Sequence, residues 1–140
     1  MTDSTPSKSA LRLLVAEDNP VNSALVEAML DKLNYTGTVF ITTGNEAVDA
    51  YKKQRGDLIL MDCHMPEMDG YEATRAIRAL EAEAGSDLYH KPVIIIAMTG
   101  DAMYDNQSLC LEAGMDGFLA KPFTVHNLDE VLRRWLPSQG

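Results

Sequence analysis

The sequence predicts an α/β fold in which a doubly wound sheet of five parallel strands is covered by five helices. Short apolar runs of strand length alternate with amphipathic segments of helix length along the chain. Strict alternation favours parallel strands joined by right-handed crossovers, which place helices on both faces of the sheet. The runs at 58–62 and 92–98 are almost continuously apolar, as expected of strands buried on both faces.

The first strand is predicted at 11–16, where apolar residues lead up to a pair of acids. Asn19 and Pro20 then predict the start of the first helix, because Asn is a good helix cap and Pro is tolerated in the first turn. Five apolar residues recur at helical spacing and predict the buried face of this helix: Val21, Leu25, Ala28, Met29 and Leu33.

The second strand is predicted at 38–41 and the third at 58–62. Between them, Thr43 and Glu46 have the spacing of a capping box, in which each side chain bonds the backbone N–H of the other residue. This pair predicts a second helix that runs to about Gln54.

A second pair with capping-box spacing, Asp69 and Glu72, predicts the start of the third helix. Four apolar residues of this helix share one face: Ala73, Ala76, Ile77 and Leu80. A polar loop is predicted at 83–91, and the fourth strand follows at 92–98.

The last part of the chain predicts two helices with a strand between them. The fourth helix covers 103–113 and ends at Gly114, and the fifth strand covers 117–120. The fifth helix starts near Thr124. Its apolar face consists of Val125, Leu128, Leu132 and Trp135.

Size and charge narrow the classes of function. A chain of 140 residues is most simply one domain, and we expect it to span 11–136, between a disordered tail at 1–10 and a short tail at 137–140. The net charge of −9 disfavours nucleic acid and anionic membranes as partners and favours cations. No apolar run is long enough to span a bilayer, and two cysteines make no disulfide framework, so we expect a cytoplasmic location.

Chemically reactive side chains end or directly follow four of the five predicted strands. They are Glu17, Asp18, Asp62, Thr99 and Lys121. Because parallel strands end at the same edge of a sheet, these side chains should meet there. Clustered carboxylates suit Mg²⁺, which prefers oxygen ligands, and a carboxylate can act as a nucleophile toward phosphorus. An ammonium and a hydroxyl group would neutralise phosphoryl oxygens, so the set predicts phosphoryl transfer to an aspartate.

Three segments carry a family resemblance, namely 17–22, 60–74 and 113–122. Their sequences are Glu-Asp-Asn-Pro-Val-Asn, Leu-Met-Asp-Cys-His-Met-Pro-Glu-Met-Asp-Gly-Tyr-Glu-Ala-Thr and Ala-Gly-Met-Asp-Gly-Phe-Leu-Ala-Lys-Pro. Together they resemble the receiver domain of two-component response regulators, and they are most similar to the receivers of hybrid sensor histidine kinases. The resemblance covers about 11–136 and implies a flavodoxin-like fold with the strand order 2-1-3-4-5.

The resemblance implies a role for each residue at the strand ends. Asp62 would accept a phosphoryl group from a phosphohistidine on a histidine kinase or a histidine phosphotransfer protein. Mg²⁺ would be held by Glu17, Asp18, Asp62 and the backbone carbonyl of Cys63. Thr99 and Lys121 would bind phosphoryl oxygens, and the peptide bond between Lys121 and Pro122 is often cis in the family.

The resemblance also implies a conformational switch. Phe118 occupies the aromatic switch position of the family and would repack when Thr99 is drawn to the phosphoryl group. This repacking would change the surface of the fourth helix, fifth strand and fifth helix, where a downstream protein would bind. Phe118 lacks the hydroxyl of Tyr, so the switch would act through packing alone. His64 and Asp101, two residues beyond Asp62 and Thr99, would tune the lifetime of the phosphoryl group.

Two other functions are compatible with parts of this pattern. A small phosphatase of the haloacid dehalogenase type also uses an aspartate at a strand end, although the second aspartate of that family is replaced by His64 here. A receiver-like module that binds proteins without taking phosphate would be expected to lose some of the acids or Lys121. We expect a domain that catalyses its own phosphorylation and dephosphorylation rather than a conventional turnover enzyme. It would be either a stand-alone response regulator or the receiver of a hybrid kinase.

Overall fold

The computed structural model describes residues 11–54, 56–84, 92–100 and 104–136. The predicted tails, Asp101 and most of the predicted loop at 83–91 lie outside the described residues. The strands are β1 (Leu13–Ala16), β2 (Thr38–Ile41), β3 (Leu58–Asp62), β4 (Ile94–Thr99) and β5 (Gly117–Ala120). The helices are α1 (Pro20–Lys32), α2 (Gly44–Lys53), α3 (Gly70–Ala84), α4 (Tyr104–Ala113) and α5 (Val125–Trp135).

The five strands are all parallel and lie in the order β2-β1-β3-β4-β5, which confirms the predicted fold class. The strand order reverses between β1 and β3, which are direct neighbours. In open α/β sheets the carboxyl ends of the strands at such a reversal form the usual binding crevice. Residues that follow β1 and β3 therefore lie where this fold favours a ligand.

The core has one layer on each face of the sheet, because successive residues of a strand point to opposite faces. The strand residues that pack with α2, α3 and α4 include Leu14, Ala16, Ile59, Met61, Ile95 and Ala97. Those that pack with α1 and α5 include Leu13, Val15, Leu58, Leu60, Ile96 and Met98. Since helices cover both faces, β1, β3 and β4 are apolar at nearly every position. Among the described residues, no helix combines the length and apolar character needed to cross a membrane.

Several helix ends are determined by residues close to them in sequence, as predicted. Thr43 and Glu46 make both bonds of a capping box at the start of α2. Asp69 and Glu72 bond each other's backbone N–H groups before α3. Gly114 ends α4 with a φ of 108°, which a residue with a side chain adopts only at a cost.

The buried face of α1 differs from the prediction. Asn19 caps the helix as expected, but Val26 and Leu30 are the residues it buries. Of the predicted face, Val21 is 67% exposed and Leu25 53% exposed, Ala28 is exposed, and Met29 and Leu33 are half-buried. The helix carries apolar residues on two sides, so its spacing fits more than one face. Packing against the sheet and α5 selects the side that contains Val26 and Leu30.

The bounds of three elements also differ from the prediction. β1 begins at Leu13, the first residue that pairs with β2. β4 begins at Ile94 and ends at Thr99. Its start is later than predicted because Pro92 has no N–H to donate and the N–H of Val93 donates to Glu81 Oε2 at 2.7 Å and not to a neighbouring strand. α3 continues to Ala84, into the predicted loop.

Candidate active site

The acidic side chains predicted at the strand ends lie together at the carboxyl edge of the sheet. Glu17 and Asp18 follow β1, and Asp62 is the last residue of β3. One carboxylate oxygen from each of these residues lies within 4.8 Å of the other two. Glu17 and Asp62 are buried, whereas Asp18 is exposed. The cluster is therefore reached from solvent on the side of Asp18.

Lys121 brings a positive charge into this cluster. Its Nζ lies 2.7 Å from Glu17 Oε1 and 3.4 Å from Asp62 Oδ2. The backbone N–H of Lys121 donates to the carbonyl oxygen of Thr99 at 2.7 Å, just beyond the last paired residues of β4 and β5. The peptide bond between Lys121 and Pro122 is cis, as the resemblance implies. The ends of β4 and β5 thus place the Lys121 ammonium group next to the buried carboxylates of Glu17 and Asp62.

Burial and mutual repulsion determine which acids carry a charge. Burial, together with the neighbouring Glu17, raises the pKa of Asp62 to about 7. Burial also acts to raise the pKa of Glu17, but hydrogen bonds with Asp62, Lys121 and the N–H of Asn19 hold it below its usual value. Burial acts to lower the pKa of Lys121, and the two carboxylates outweigh this effect and raise it. Near neutral pH, Lys121 alone therefore does not balance the clustered carboxylates.

This donor set fits Mg²⁺, which takes carboxylate and water oxygens as ligands. A divalent cation among the three acids would offset the negative charge of Glu17, which together with burial raises the pKa of Asp62. The carbonyl of Cys63, the fourth ligand implied by the resemblance, accepts a hydrogen bond from the N–H of Gly70 at 3.1 Å and keeps a second lone pair. A side chain at Gly70 would collide with the backbone carbonyl of Asp62, so the loop after β3 needs glycine at this position.

The other predicted site residues flank the cluster. Thr99 is buried at the end of β4, the strand next to β3. Phe118 lies in β5 and packs, half-buried, against the core layer that contains α4. The backbone N–H of His64 donates to Asp62 Oδ1 at 3.1 Å. The exposed His64 ring contacts the Tyr71 ring edge-on at a centroid distance of 6.3 Å.

A cavity of about 350 Å³, which was not predicted, lies beside the cluster. Its lining includes Glu17 and Lys121 from the cluster and the apolar residues Leu25, Met29 and Phe123. The cavity was not predicted because the spacing of apolar residues placed Leu25 on the buried face of α1. One signal was available, since α1 has more apolar residues than a single buried face can hold.

The chain matches the model of a known protein family and short segments of much longer proteins. Residues 13–133 match the family model of the response regulator receiver domain. Probable histidine kinase 1 of Oryza sativa subsp. indica is 36% identical over 159 residues, which cover 96% of this chain and 16% of that protein. Across eight curated relatives, the chain spans between 6% and 16% of their length.

Two solved structures extend the comparison to the fold. The receiver domain of sensor histidine kinase PA1611 from Pseudomonas aeruginosa PAO1, with magnesium coordinated in its active site cleft, is 44% identical with a TM-score of 0.78. The match covers 91% of this chain and 98% of that one. A co-crystal structure of the Saccharomyces cerevisiae histidine phosphotransfer protein Ypd1 with the receiver domain of Ssk1 is 29% identical with a TM-score of 0.84. That match covers 95% of this chain and 91% of the other.

Proposed function

This chain belongs to the response regulator receiver family, which accepts phosphoryl groups in phosphorelays, and we propose that Asp62 is the accepting residue. The donor is a phosphohistidine on a histidine kinase or a histidine phosphotransfer protein. One observation carries the assignment. Asp62 ends a strand at the reversal point of the sheet, with its carboxylate beside those of Glu17 and Asp18 and 3.4 Å from Lys121 Nζ.

Asp62 acts as the nucleophile. An oxygen of its deprotonated carboxylate attacks the phosphorus atom, the bond between phosphorus and the donor imidazole nitrogen breaks, and that nitrogen keeps the electron pair. The N–H of His64 on Oδ1 and the ammonium of Lys121 near Oδ2 orient the carboxylate. Because the pKa of Asp62 is raised to about 7, added positive charge at the site favours the reactive form.

Glu17, Asp18, Asp62 and the carbonyl of Cys63 are the residues that would hold Mg²⁺. When bound, Mg²⁺ supplies positive charge that keeps Asp62 ionised and offsets the charge on the phosphoryl oxygens. Glu17 is fixed by its 2.7 Å contact with Lys121, whereas the exposed Asp18 is free to complete the site from the solvent side.

Thr99 and Lys121 bind oxygens of the transferred phosphoryl group. Lys121 can turn from Asp62 toward a phosphoryl oxygen and keep its shorter contact with Glu17. The Thr99 hydroxyl donates to a second oxygen. The 2.7 Å bond between the Thr99 carbonyl and the Lys121 N–H couples the ends of β4 and β5, so a movement of either residue reaches the other strand.

Phe118 links the phosphoryl group to a partner surface. It is half-buried in β5 against the layer that contains α4, so a shift of Thr99 that opens space would let its ring turn inward. A groove of about 390 Å³ between β5 and α5 is lined by Phe118, Asn127, Val131 and Arg134. We assign the face formed by α4, β5 and α5 as the surface that a downstream protein recognises.

The phosphohistidine donor docks on α1. Val21 and Leu25 are exposed apolar residues there, and Leu25 lines the cavity that also contains Glu17 and Lys121. An apolar surface beside the phosphoryl acceptor gives a donor protein a place to bury its own apolar helix faces while its histidine reaches Asp62. Phe123 extends this surface across the cavity.

The remaining assignments concern the lifetime of the phosphoryl group, the extent of the domain and its location. His64 and Asp101 tune the lifetime through their positions two residues beyond Asp62 and Thr99. We assign residues 11–136 to the receiver unit, because the described strands and helices within this range build one sheet with two core layers. Two cysteines make no disulfide framework, which supports a cytoplasmic location.

The test is the intact mass of the full chain after incubation with a small phosphodonor such as acetyl phosphate, with and without Mg²⁺. We expect one phosphoryl adduct that depends on Mg²⁺, is stable to acid and labile to alkali, and is absent in Asp62→Asn. An adduct that persists in Asp62→Asn would overturn the assignment. Release of free phosphate without an adduct would indicate a phosphatase or a very short-lived phosphoryl group, and neither adduct nor turnover would indicate a module that binds proteins without phosphate.

A further inference from the structure

Two buried thiols lie next to each other in the core, beside the active-site residue Asp62. Cys63 follows Asp62 at the end of β3, Cys110 lies in α4, and their Sγ atoms are 3.8 Å apart. Cys63 is 1% exposed and Cys110 is 0% exposed, and both are free. The residues are 47 positions apart in the chain, so their contact exists only because α4 packs on the sheet.

We propose that Cys63 and Cys110 are a site of reversible oxidation, at which a hydroperoxide forms an intramolecular disulfide that ties α4 to β3. The S–S bond length is about 2.05 Å, so the two sulfur atoms must approach each other by less than about 2 Å. Rotation about the side-chain torsions and a small shift of α4 would have to supply a movement of this size.

The reaction has two steps, and its atoms balance. One thiol loses its proton and the thiolate attacks a peroxide oxygen, the O–O bond breaks, and a sulfenic acid forms while an alcohol leaves, or water when the oxidant is hydrogen peroxide. Because burial raises the pKa of both thiols, this step is slow. The other sulfur then attacks the sulfenic sulfur, the S–S bond forms and water leaves. In sum, two thiols lose two hydrogen atoms and the hydroperoxide is reduced.

The burial of the pair determines which oxidants act on it. A disulfide such as oxidised glutathione is too large to reach two sulfur atoms that are almost completely covered by protein. Hydrogen peroxide is close to water in size, so a transient local opening of the core would be enough to admit it. We therefore assign small hydroperoxides as the oxidant class.

Tyr71 is a positioning residue for this chemistry. Its hydroxyl is buried and makes no hydrogen bond among the described residues. Burial, together with the neighbouring thiols of Cys63 and Cys110, raises the pKa of this hydroxyl. A hydroxyl without another acceptor can donate to the sulfur that attacks the peroxide. The three side chains thus form a cluster inside the core layer between α3, α4 and the sheet.

The disulfide would restrain α4, which forms part of the proposed partner surface. A covalent link to the residue after Asp62 would limit the movement of α4 when Asp62 is phosphorylated. This consequence rests on the proposed function, whereas formation of the disulfide does not.

The experiment treats the reduced full chain with hydrogen peroxide, removes the oxidant, unfolds the protein, alkylates free thiols and measures intact mass. We expect a monomer that has lost two hydrogen atoms and takes no alkyl group, with Cys63 and Cys110 linked in peptide maps and both thiols recovered after dithiothreitol. Recovery of two alkylated cysteines, oxidation of one cysteine to its sulfinic acid, or formation of linked dimers would each overturn the proposal.

Two further measurements test the details. Tyr71→Phe keeps the ring and removes the hydroxyl, so the disulfide should form several-fold more slowly, and an unchanged rate would refute the role of Tyr71. Amide hydrogen exchange in α4 should be slower in the oxidised chain than in the reduced chain, and equal exchange would refute the restraint. If the reduced chain takes no phosphoryl group from acetyl phosphate, the proposed function is wrong, but the results on disulfide formation and hydrogen exchange remain valid.

Discussion

Lys121 Nζ lies 2.7 Å from Glu17 Oε1, although the two residues are 104 positions apart in the chain. The same ammonium is 3.4 Å from Asp62 Oδ2, so one positive charge serves two buried carboxylates. Glu17 makes the shorter contact with Lys121 and its pKa is lowered, whereas the pKa of Asp62 is raised. The behaviour of the metal-free protein follows from this imbalance.

Asp62→Asn should stabilise the metal-free protein at neutral and alkaline pH. The folded pKa of Asp62, about 7, exceeds its usual value of 3.8, so the folded state holds this proton more tightly than the unfolded state. Its contribution to the unfolding free energy is therefore complete at acidic pH and is lost as pH rises through about 7. The unfolding free energy of Asp62→Asn should therefore exceed that of the wild type by an amount that grows from about pH 5 to about pH 8, where it is on the order of 1–3 kcal/mol.

Urea unfolding in the presence of a chelator measures this advantage at both pH values. Asp49→Asn, which removes an exposed carboxylate from α2, is the control and should change the unfolding free energy by less than about 0.5 kcal/mol. An advantage of Asp62→Asn that is equal at both pH values would contradict the prediction.

Mg²⁺ should raise the melting temperature of the wild-type chain, because it binds the folded acidic cluster and not the unfolded chain. At a concentration of about 100 times the dissociation constant, the gain in unfolding free energy is about 2.7 kcal/mol. Asp18→Asn should lose most of this gain, since Asp18 is the exposed carboxylate of the cluster. Asp31→Asn in α1 removes an exposed acid elsewhere and should respond as the wild type does. An unchanged response of Asp18→Asn in calorimetry would argue against the metal assignment.

Arg78→Ala should destabilise the fold by about 2–4 kcal/mol. The guanidinium donates to the carbonyl oxygens of Gly114 and Val93 and to the carboxylates of Glu81 and Asp116, at 2.8–2.9 Å. Its side chain is only 21% exposed, so truncation leaves four acceptors without their donor in a region that water reaches poorly.

The matched control for Arg78→Ala is Arg75→Ala, which removes an exposed arginine from the same helix. We expect that variant to stay within about 0.5 kcal/mol of the wild type in urea unfolding. Similar losses for the two variants would show that helix propensity or net charge, and not the hydrogen bonds of Arg78, accounts for the effect.

Leu25→Ala should slow phosphoryl transfer from a histidine phosphotransfer protein and leave phosphorylation by acetyl phosphate unchanged. Leu25 is 53% exposed on the proposed donor surface, and loss of such a contact weakens docking by about 1–2 kcal/mol, or roughly 5–30-fold. Val39→Ala, at a residue 51% exposed in the edge strand β2, is the control and should transfer normally. Equal losses in the two variants would place the donor elsewhere.

Thr99→Ala should separate phosphorylation from the conformational response. Asp62 keeps its nucleophilic oxygen, so the phosphoryl adduct should still form, but the methyl group of Ala cannot draw β4 toward the phosphoryl oxygen. We expect the phosphorylation-dependent change in amide hydrogen exchange of α4 to be lost in Thr99→Ala and to return in Thr99→Ser. A normal response of the Ala variant would exclude Thr99 as the trigger.

Much of this molecule follows from short stretches of sequence. The Thr43–Glu46 and Asp69–Glu72 pairs join residues three positions apart, so the helix starts depend on local geometry alone. Parallel strands must end at one edge, so the meeting of the acids with Lys121 also follows from the alternation of strands and helices. Periodicity and polarity were sufficient for both conclusions.

Other features were decided by tertiary packing. The spacing of apolar residues in α1 does not distinguish the side of Leu25 from that of Val26, and only contact with the sheet and α5 buries the latter. The contact between Cys63 and Cys110 depends on how α4 lies against β3, which no spacing along the chain encodes. Local patterns determine which segments form helices and strands, because those depend on neighbours in sequence. The identity of the face that stays exposed depends on long-range contacts that form only when the sheet is assembled.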